Sequence, residues 1–158
     1  MSSLKSLFAA GLLLASLNAA TAQGADAQAL HEAKLTLDAF GRGYAAALLG
    51  NAVPAAQLNA QSSKPRLIKL AHGEMSVRGS DKDLVVSELK LGLGDFRELG
   101  LQIGETPVEA LIRNYGQPEK RDGRRLVYRG SSEICTDHLV FHIGNGVLQG
   151  IEWDWCYD

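Results

Sequence analysis

The sequence predicts an α+β fold in which one or more N-terminal helices pack on a small antiparallel sheet. Apolar runs at residues 139–143 and 147–151 flank Asn145-Gly146. Asn-Gly between two such runs is typical of a two-residue hairpin turn, because both residues accept a positive φ. Two further segments have helical periodicity, one near the N-terminus and one at residues 106–115. Together these observations favour helices on a sheet that ends in a β-hairpin.

The first 22 residues have the three regions of a secretory signal peptide. Lys5 is their one charge, residues 7–17 are apolar, and Ala20-Thr21-Ala22 has the small-x-small pattern that precedes cleavage. A membrane-spanning helix needs roughly 20 apolar residues, more than this run provides. We expect cleavage after Ala22, no lipid anchor since no cysteine lies near the cut, and a periplasmic or secreted product. The alternative is a buried N-terminal helix.

The mature chain, residues 23–158, has a length that suits one domain. We expect a helical part at 23–64, strands within 65–100, and a helix with three strands at 101–158. In the full 158-residue sequence Lys and Arg number 16 against 18 Asp and Glu, for a net charge of −2. That balance gives no electrostatic case for nucleic acid or an anionic membrane as partner. No later segment is long and apolar enough to be transmembrane.

The N-terminal part has an apolar stripe with steps of three and four, which predicts a helix. Its members are Leu30, Ala33, Leu37, Phe40, Tyr44 and Ala47. Asp26 is the expected cap near its start and Gly50-Asn51 the expected end, while Gly41 and Gly43 indicate a bend or close packing. A short second helix is predicted at 54–60, and strands at 66–71, 84–91 and 125–129.

The helix at residues 106–115 has a clear start and stop. Thr106 is the expected N-cap, Pro107 takes the first helical position and Glu109 completes a capping box. Gly116 ends the helix. Its expected buried face consists of Val108, Leu111, Ile112 and Tyr115.

The hairpin turn also predicts a disulfide. If Gly144 faces Val147, opposed residues have numbers that sum to 291, and Cys135 and Cys156 satisfy that sum. An even pair of cysteines in an exported chain indicates a disulfide before metal or redox chemistry. The bridge would close a loop of about 20 residues and stabilise the fold by about 3 kcal/mol.

The same register predicts a partner-binding patch. It places His138, Trp153 and Trp155 on one face of the hairpin, and exposed tryptophans commonly anchor interfaces. The alternative is that both indoles pack in the core beneath a helix. The other face is expected to carry Asp137, Glu152 and Asp154 as a solvated strand end.

No catalytic, cofactor or metal site is predicted. His138 and His142 share a face, but four residues along a strand separate them by roughly 13 Å, too far to share one ion. Lys120, Arg121, Arg124 and Arg125 flank a turn and are expected to be a solvated loop. The sequence contains no nucleophile elbow, phosphate-binding loop or zinc signature.

Several short motifs resemble the SmpA/OmlA (BamE-like) domains of bacterial envelopes. They are the segment 103–111 (IGETPVEAL), Tyr115-Gly116-Gln117-Pro118, the strand Leu126-Val127-Tyr128 and the 139–153 hairpin. The resemblance covers about residues 101–155. It implies a helices-on-sheet fold and a non-catalytic, protein-binding role as an accessory in outer-membrane assembly. Inhibition of an envelope enzyme is a variant of that role.

The chain departs from that family in two respects: it has no lipid-attachment cysteine, and it has a long helical N-terminal extension. The alternative comes from that extension, because Phe40, Tyr44 and residues 48–51 resemble the opening of cone-shaped NTF2-like domains. Those domains enclose an apolar pocket that binds or isomerises small ligands. A strongly curved sheet around a deep cavity would favour this alternative.

Overall fold

The structure is a computed structural model, and it describes residues 8–52, 65–79, 85–92, 95–130 and 135–156. In chain order its elements are α1 (Phe8–Ala52), β1 (Arg66–Leu70), β2 (Gly73–Arg78), β3 (Val85–Leu91), β4 (Asp95–Phe96), a 3-10 helix (Arg97–Leu99), β5 (Leu101–Gln102), α2 (Val108–Tyr115), β6 (Lys120–Asp122), β7 (Arg125–Arg129), β8 (His138–Gly144) and β9 (Val147–Asp154). The predicted α+β class is confirmed. The predicted short helix at 54–60 lies outside the described residues.

Seven of the strands form one antiparallel sheet in the order β1-β2-β3-β9-β8-β7-β6. Strands from the first half of the chain form one set of hairpins, strands from the second half form another, and the pair β3–β9 joins the two sets. The last strand in the sequence is therefore the central strand of the sheet. Strands β4 and β5 form a separate two-stranded sheet.

The sheet is larger than the sequence predicted, because β2 and β6 were missed. β2 reads Gly-Glu-Met-Ser-Val-Arg and β6 reads Lys-Arg-Asp. Neither has the run of β-branched and aromatic residues that marks a strand in sequence. Both form because a neighbouring strand supplies the hydrogen-bonding partners: β6 pairs with β7 across the Gly123 turn, and β2 pairs with strands on both sides.

The hairpin turn between β8 and β9 forms as predicted. Asn145 (φ 52°) and Gly146 (φ 78°) both have positive φ, as a two-residue turn of this kind requires. Ile143–Leu148 and Gly144–Val147 keep the predicted register, but a bulge follows, so that His142 faces Gly150 rather than Gln149. Beyond this bulge the predicted faces of the hairpin are wrong, because a shift of one residue moves side chains to the opposite face.

Cys135 and Cys156 form the predicted disulfide, with their Cα atoms 6.0 Å apart. The reasoning behind that prediction was only partly right. β8 begins at His138 and β9 ends at Asp154, so both cysteines lie outside the paired strands. The segments before β8 and after β9 are not paired as strands, but they still bring the two cysteines close enough to form the disulfide.

Helix α1 is 45 residues long and runs through the expected cap at Asp26, so that residue is not a cap. It ends at Ala52, close to the predicted Gly50-Asn51. Leu37 and Ala45 are buried against the sheet. Phe40 packs edge-on against Phe96, with ring centroids 5.5 Å apart. The predicted apolar stripe is therefore the face that α1 buries from Leu30 to Phe40, whereas beyond it Tyr44 and Ala47 are exposed and Ala45 is buried instead.

Helix α2 begins later than predicted, and the capping box is wrong. The Thr106 hydroxyl does not cap the helix, because it accepts a hydrogen bond from the Gln102 backbone N–H at 2.7 Å. The hairpin turn caps the helix instead: the Val108 N–H donates to the Gly146 carbonyl at 3.1 Å. The predicted buried face is confirmed, with Val108, Leu111 and Tyr115 buried.

The core lies between the two helices and one face of the sheet, which we call the inner face. Its largest fully buried side chains include Met75, Leu89, Leu126, Phe141, Ile151 and Trp153. Burying one such side chain contributes roughly 1.5–3 kcal/mol. Burial also raises the pKa of Tyr115 and Tyr128 to about 12, and the Tyr128 hydroxyl donates to the Gly116 carbonyl at 3.0 Å.

Among the described residues, no helix has a stretch that is both long enough and apolar enough to cross a membrane.

Candidate functional site

The two tryptophans of the predicted patch belong to the core. Trp153 is 1 % exposed and Trp155 is 3 % exposed. The Trp153 indole N–H donates to the Leu37 carbonyl at 3.2 Å, and that of Trp155 donates to the Asp38 carboxylate at 2.7 Å. These contacts hold α1 against β9 and the segment that follows it. The patch hypothesis is wrong for both indoles, because no partner can reach them without displacing α1.

His138 does not share a face with the tryptophans. The bulge places it opposite Asp154, whereas Trp153 lies opposite Leu139 on the inner face. The His138 ring nitrogen Nδ1 lies 3.9 Å from an Asp154 carboxylate oxygen, and both side chains are partly exposed. Of the three predicted contact residues, His138 is the one that remains accessible.

Asp137 was expected at a solvated strand end with Glu152 and Asp154, and that expectation is wrong. Asp137 is 2 % exposed. Its Oδ1 accepts the Cys156 backbone N–H at 2.8 Å, and its Oδ2 accepts from Arg42 of α1 at 2.8 Å. The Arg42 guanidinium also lies 5.2 Å from the Trp155 ring centroid, within cation–π range. We call these contacts the Asp137 centre; its role is to fasten α1 to the C-terminal segment.

Asp137 and the two cysteines are also close enough together for a metal ion to reach all three. Metal ligation by cysteine requires a thiolate. Here both sulfurs are joined in the disulfide, and one Asp137 oxygen is bonded to Arg42. Disulfide and ion pair account for this group without a metal.

The other face of the sheet, which we call the open face, has no described helix or strand packed on it. A single row of paired positions crosses this face from β1 to β9: Lys69 faces Glu74, Glu74 faces Lys90, and Lys90 faces Glu152. The signs of the charges alternate along the row. Lys69 forms an ion pair with Glu74, and the Lys90 ammonium lies 3.8 Å from Glu152. Alternating charges on neighbouring strands attract each other across the sheet.

Glu152 is the centre of this row. Its side chain is 12 % exposed, and its oxygens lie 2.6 Å from the His142 Nε2 and 3.3 Å from the Arg125 Nη2. The His142 hydrogen bond lowers the pKa of Glu152 below its usual value, burial opposes that change, and the charges of His142, Arg125 and Lys90 lower it further. An ionised carboxylate only accepts hydrogen bonds, so His142 donates from Nε2. In neutral His142 the other nitrogen, Nδ1, is then an acceptor.

A groove of about 460 Å³ lies beside this centre, and we call it the open-face groove. Its polar lining consists of His72, Glu74, Lys90, His142 and Gln149. The other lining residues are Gly73, Leu91, Gly92 and Gly150. A Cβ at Gly150 would lie 2.9 Å from the Leu91 carbonyl oxygen, so close strand packing requires the glycine there. The volume is within the range of small-ligand and side-chain pockets.

Sequence reasoning missed the contact between His142 and Glu152. In the predicted register His142 faces Gln149, and Glu152 lies on the opposite face of the hairpin. The bulge at Gln149 brings the two residues to the same face. Gly150 beside Gln149 is the one local signal, because glycine within a strand often accompanies a bulge.

A second groove, of about 610 Å³, lies between α1 and α2. Leu30 and Ala33 of α1 line one side, and Arg113 and Tyr115 of α2 line the other. This groove lies between helices and not within a curved sheet, so it has a different position from the cavity that the NTF2-like alternative requires.

No protein-family model, curated protein or solved structure matches this chain. The likeness to SmpA/OmlA domains therefore stays a prediction from short motifs.

Proposed function

We propose that this protein is an exported, non-catalytic binding module that engages another envelope protein through the open face of its sheet. The observation that carries the proposal is the asymmetry of the sheet. Helices cover the inner face, whereas within the described residues the open face has an ordered row of charged side chains and a groove beside it. A surface whose polar groups are already held in place loses little entropy when a partner binds.

The charged side chains of the open face support a protein partner. Lys90 and Arg125 keep 41 % and 44 % of their side-chain surface exposed while they contact Glu152. Charged groups arranged in this way increase association rates and select partners by charge complementarity. An assembly accessory or an enzyme inhibitor would use the surface in the same way, which agrees with the implied role of the resembling family.

The disulfide supports the proposed location. Disulfides form and persist in oxidising compartments, which include the periplasm and the extracellular space. The Cys135–Cys156 bridge therefore fits export under the predicted signal peptide. Cleavage after Ala22 would leave the part of α1 that packs on the sheet in place.

Site-specific photocrosslinking in the native envelope tests the proposal. A photoreactive amino acid is introduced at Leu67 or Arg129, both exposed on the open face, and separately at Leu35 or Tyr44 on α1. Leu35 and Tyr44 are matched controls, because they are 40 % and 41 % exposed and lie on the other side of the molecule. We expect a defined crosslinked protein from the open-face positions and none from the α1 positions.

Other outcomes contradict the proposal. Crosslinks from Leu35 and Tyr44 alone would move the interface to α1. The absence of any crosslinked protein at all four positions would reject a protein-binding role and favour the small-ligand alternative.

A further inference from the structure

The ion pairs beside the open-face groove contain one positive charge more than negative charges. Lys69, Lys90 and Arg125 lie against Glu74 and Glu152, a local balance of three positive and two negative charges, with His72 and His142 beside them. The whole chain has a net charge of −2. A local positive site on a negatively charged protein selects for an anionic group and orients its approach.

The carboxylate that lines the groove, Glu74, and the one beside it, Glu152, both already have cationic or hydrogen-bonding partners. Glu74 is paired with Lys69, and this pairing lowers the pKa of Glu74. Glu152 accepts from His142 and Arg125. Lys90 differs, because its 3.8 Å contact with Glu152 is longer than a hydrogen bond. The Lys90 ammonium therefore keeps donors for an incoming carboxylate.

Three of the residues that line the open-face groove are glycines. Gly73, Gly92 and Gly150 have no side chains to hold a ligand away from the backbone. The carboxylates of an extended acidic segment in the groove would lie near Lys90 and the two histidines, which also line it.

We propose that the open-face groove binds an acidic segment of the partner protein, and that binding strengthens when His142 gains a proton. This inference rests on the proposed function and names the chemistry of its partner. Protonated His142 keeps its Nε2 bond to Glu152 and gains a second N–H donor at Nδ1. This charged donor can form a hydrogen bond with a carboxylate of the ligand. Histidine is the side chain that changes charge between pH 5 and 8.

Charged groups from each neighbouring strand act on His142. Glu152 of β9 accepts a hydrogen bond from His142, Arg125 of β7 faces His142 in the ladder, and Lys90 of β3 lines the same groove. Glu74 and His72 lie across the groove. An acidic ligand adds negative charge at this position, so ligand binding and His142 protonation reinforce each other.

The test uses the exported protein, purified with its disulfide intact, and a fluorescent, acetylated hexaglutamate peptide. Peptides of six glutamines and of six lysines are the ligand controls. Fluorescence anisotropy at pH 7.5 and pH 5.5 gives the affinity, and amide chemical shifts from NMR locate the bound peptide. We expect hexaglutamate alone to bind, with shifts at the groove, and to bind about tenfold more tightly at pH 5.5.

Three variants separate the groove from general electrostatics. Lys90→Gln should weaken hexaglutamate binding about tenfold. His142→Gln, which can still donate to Glu152, should remove most of the pH dependence. Arg121→Gln removes one charge from exposed β6, outside the groove, and should change the affinity less than twofold. An NMR spectrum of each variant checks that it is folded.

The inference would be overturned if hexaglutamate bound no better than hexaglutamine. It would also be overturned if the NMR chemical-shift changes were centred on Arg121, or if the pH dependence of binding persisted in His142→Gln. The crosslinking experiment separates the two proposals. Open-face crosslinks without hexaglutamate binding would keep the protein-binding function and reject its acidic partner. If neither open-face crosslinks nor hexaglutamate binding were observed, both the protein-binding function and its acidic partner would be rejected.

Discussion

Two carboxylates, Asp137 and Glu152, make similar contacts and have different roles. Each accepts from an arginine, at 2.8 Å for Asp137 with Arg42 and 3.3 Å for Glu152 with Arg125. Asp137 lies beneath α1 and joins parts of the chain that are distant in sequence. Glu152 lies on the open face and joins strands that the sheet ladder already holds together. The Asp137 centre therefore maintains the fold, whereas the Glu152 centre mainly organises a surface.

The largest expected effect is at the Asp137 centre, where the disulfide lies. Replacing both cysteines with serine in a Cys135→Ser/Cys156→Ser variant should lower the free energy of unfolding by about 3 kcal/mol, because the unfolded chain loses a cross-link between residues 21 positions apart. Urea unfolding measures this loss. Hydrogen exchange should also become faster around residues 37–45 of α1 and stay unchanged at Arg125 and His142. Equal acceleration in both regions would mean that the two centres are not separate.

Asp137→Asn should lower the free energy of unfolding by about 2 kcal/mol. The substitution removes the negative charge that pairs with Arg42, and the new amide NH2 group would face the N–H donors of Arg42. Asp154→Asn is the matched control: its side chain is 58 % exposed and its contact with His138 is long. The control should change stability by less than about 0.5 kcal/mol. Similar losses in the two variants, measured by urea unfolding, would contradict the structural role of Asp137.

Substitutions at two glycines of α1 test how tightly this helix packs against the sheet. A Cβ at Gly41 would lie 2.6 Å from the Trp153 ring, whereas nothing lies within 4 Å of one at Gly43. Gly43→Ala should raise the melting temperature, because alanine favours the helix by about 1 kcal/mol. Gly41→Ala should lower it, since overpacking costs about 1–3 kcal/mol and outweighs that gain. If both variants were stabilised, α1 would not pack tightly on Trp153.

The smallest effect is expected at the Glu152 centre. At pH 7, Glu152→Gln should lower the free energy of unfolding by only about 1 kcal/mol, because solvent screens the charges at this partly solvated site. The folded-state pKa of Glu152 is lowered from its usual 4.5, so its stabilisation is complete above pH 4.5 and is lost as the pH falls through the lower folded-state value. The stability difference between wild type and variant should therefore shrink in acid. Urea unfolding at pH 7 and pH 3 measures it, and a difference that stays constant would contradict the lowered pKa.

The local features of the fold could be predicted from sequence. Asn145-Gly146 specifies its turn because few residue pairs accept two positive φ angles. The stripe of α2 specifies its buried face because apolar periodicity is a direct consequence of burial. The disulfide followed from the number and spacing of Cys135 and Cys156.

The candidate site could not be predicted, because it depends on contacts between distant segments. One bulged residue, Gln149, moves Trp153 to the inner face and brings Glu152 beside His142, and no strong local pattern marks that residue. β2 and β6 are polar, and their neighbours supply the pairing that makes them strands. Asp137 looked like a surface residue because the sequence does not show that Arg42 lies above it.

The position of β9 has a consequence for the export that we propose. It is synthesised after all the other described strands, and it pairs with β3 on one side and β8 on the other. Before β9 has been synthesised, no described strand pairing joins the first set of hairpins to the second. The core also lacks Ile151 and Trp153, which β9 contributes to the inner face. A fold that depends on such distant pairing forms slowly and late. We therefore expect the nascent chain to remain unfolded until β9 has been made, which is the state that a threading translocation channel requires.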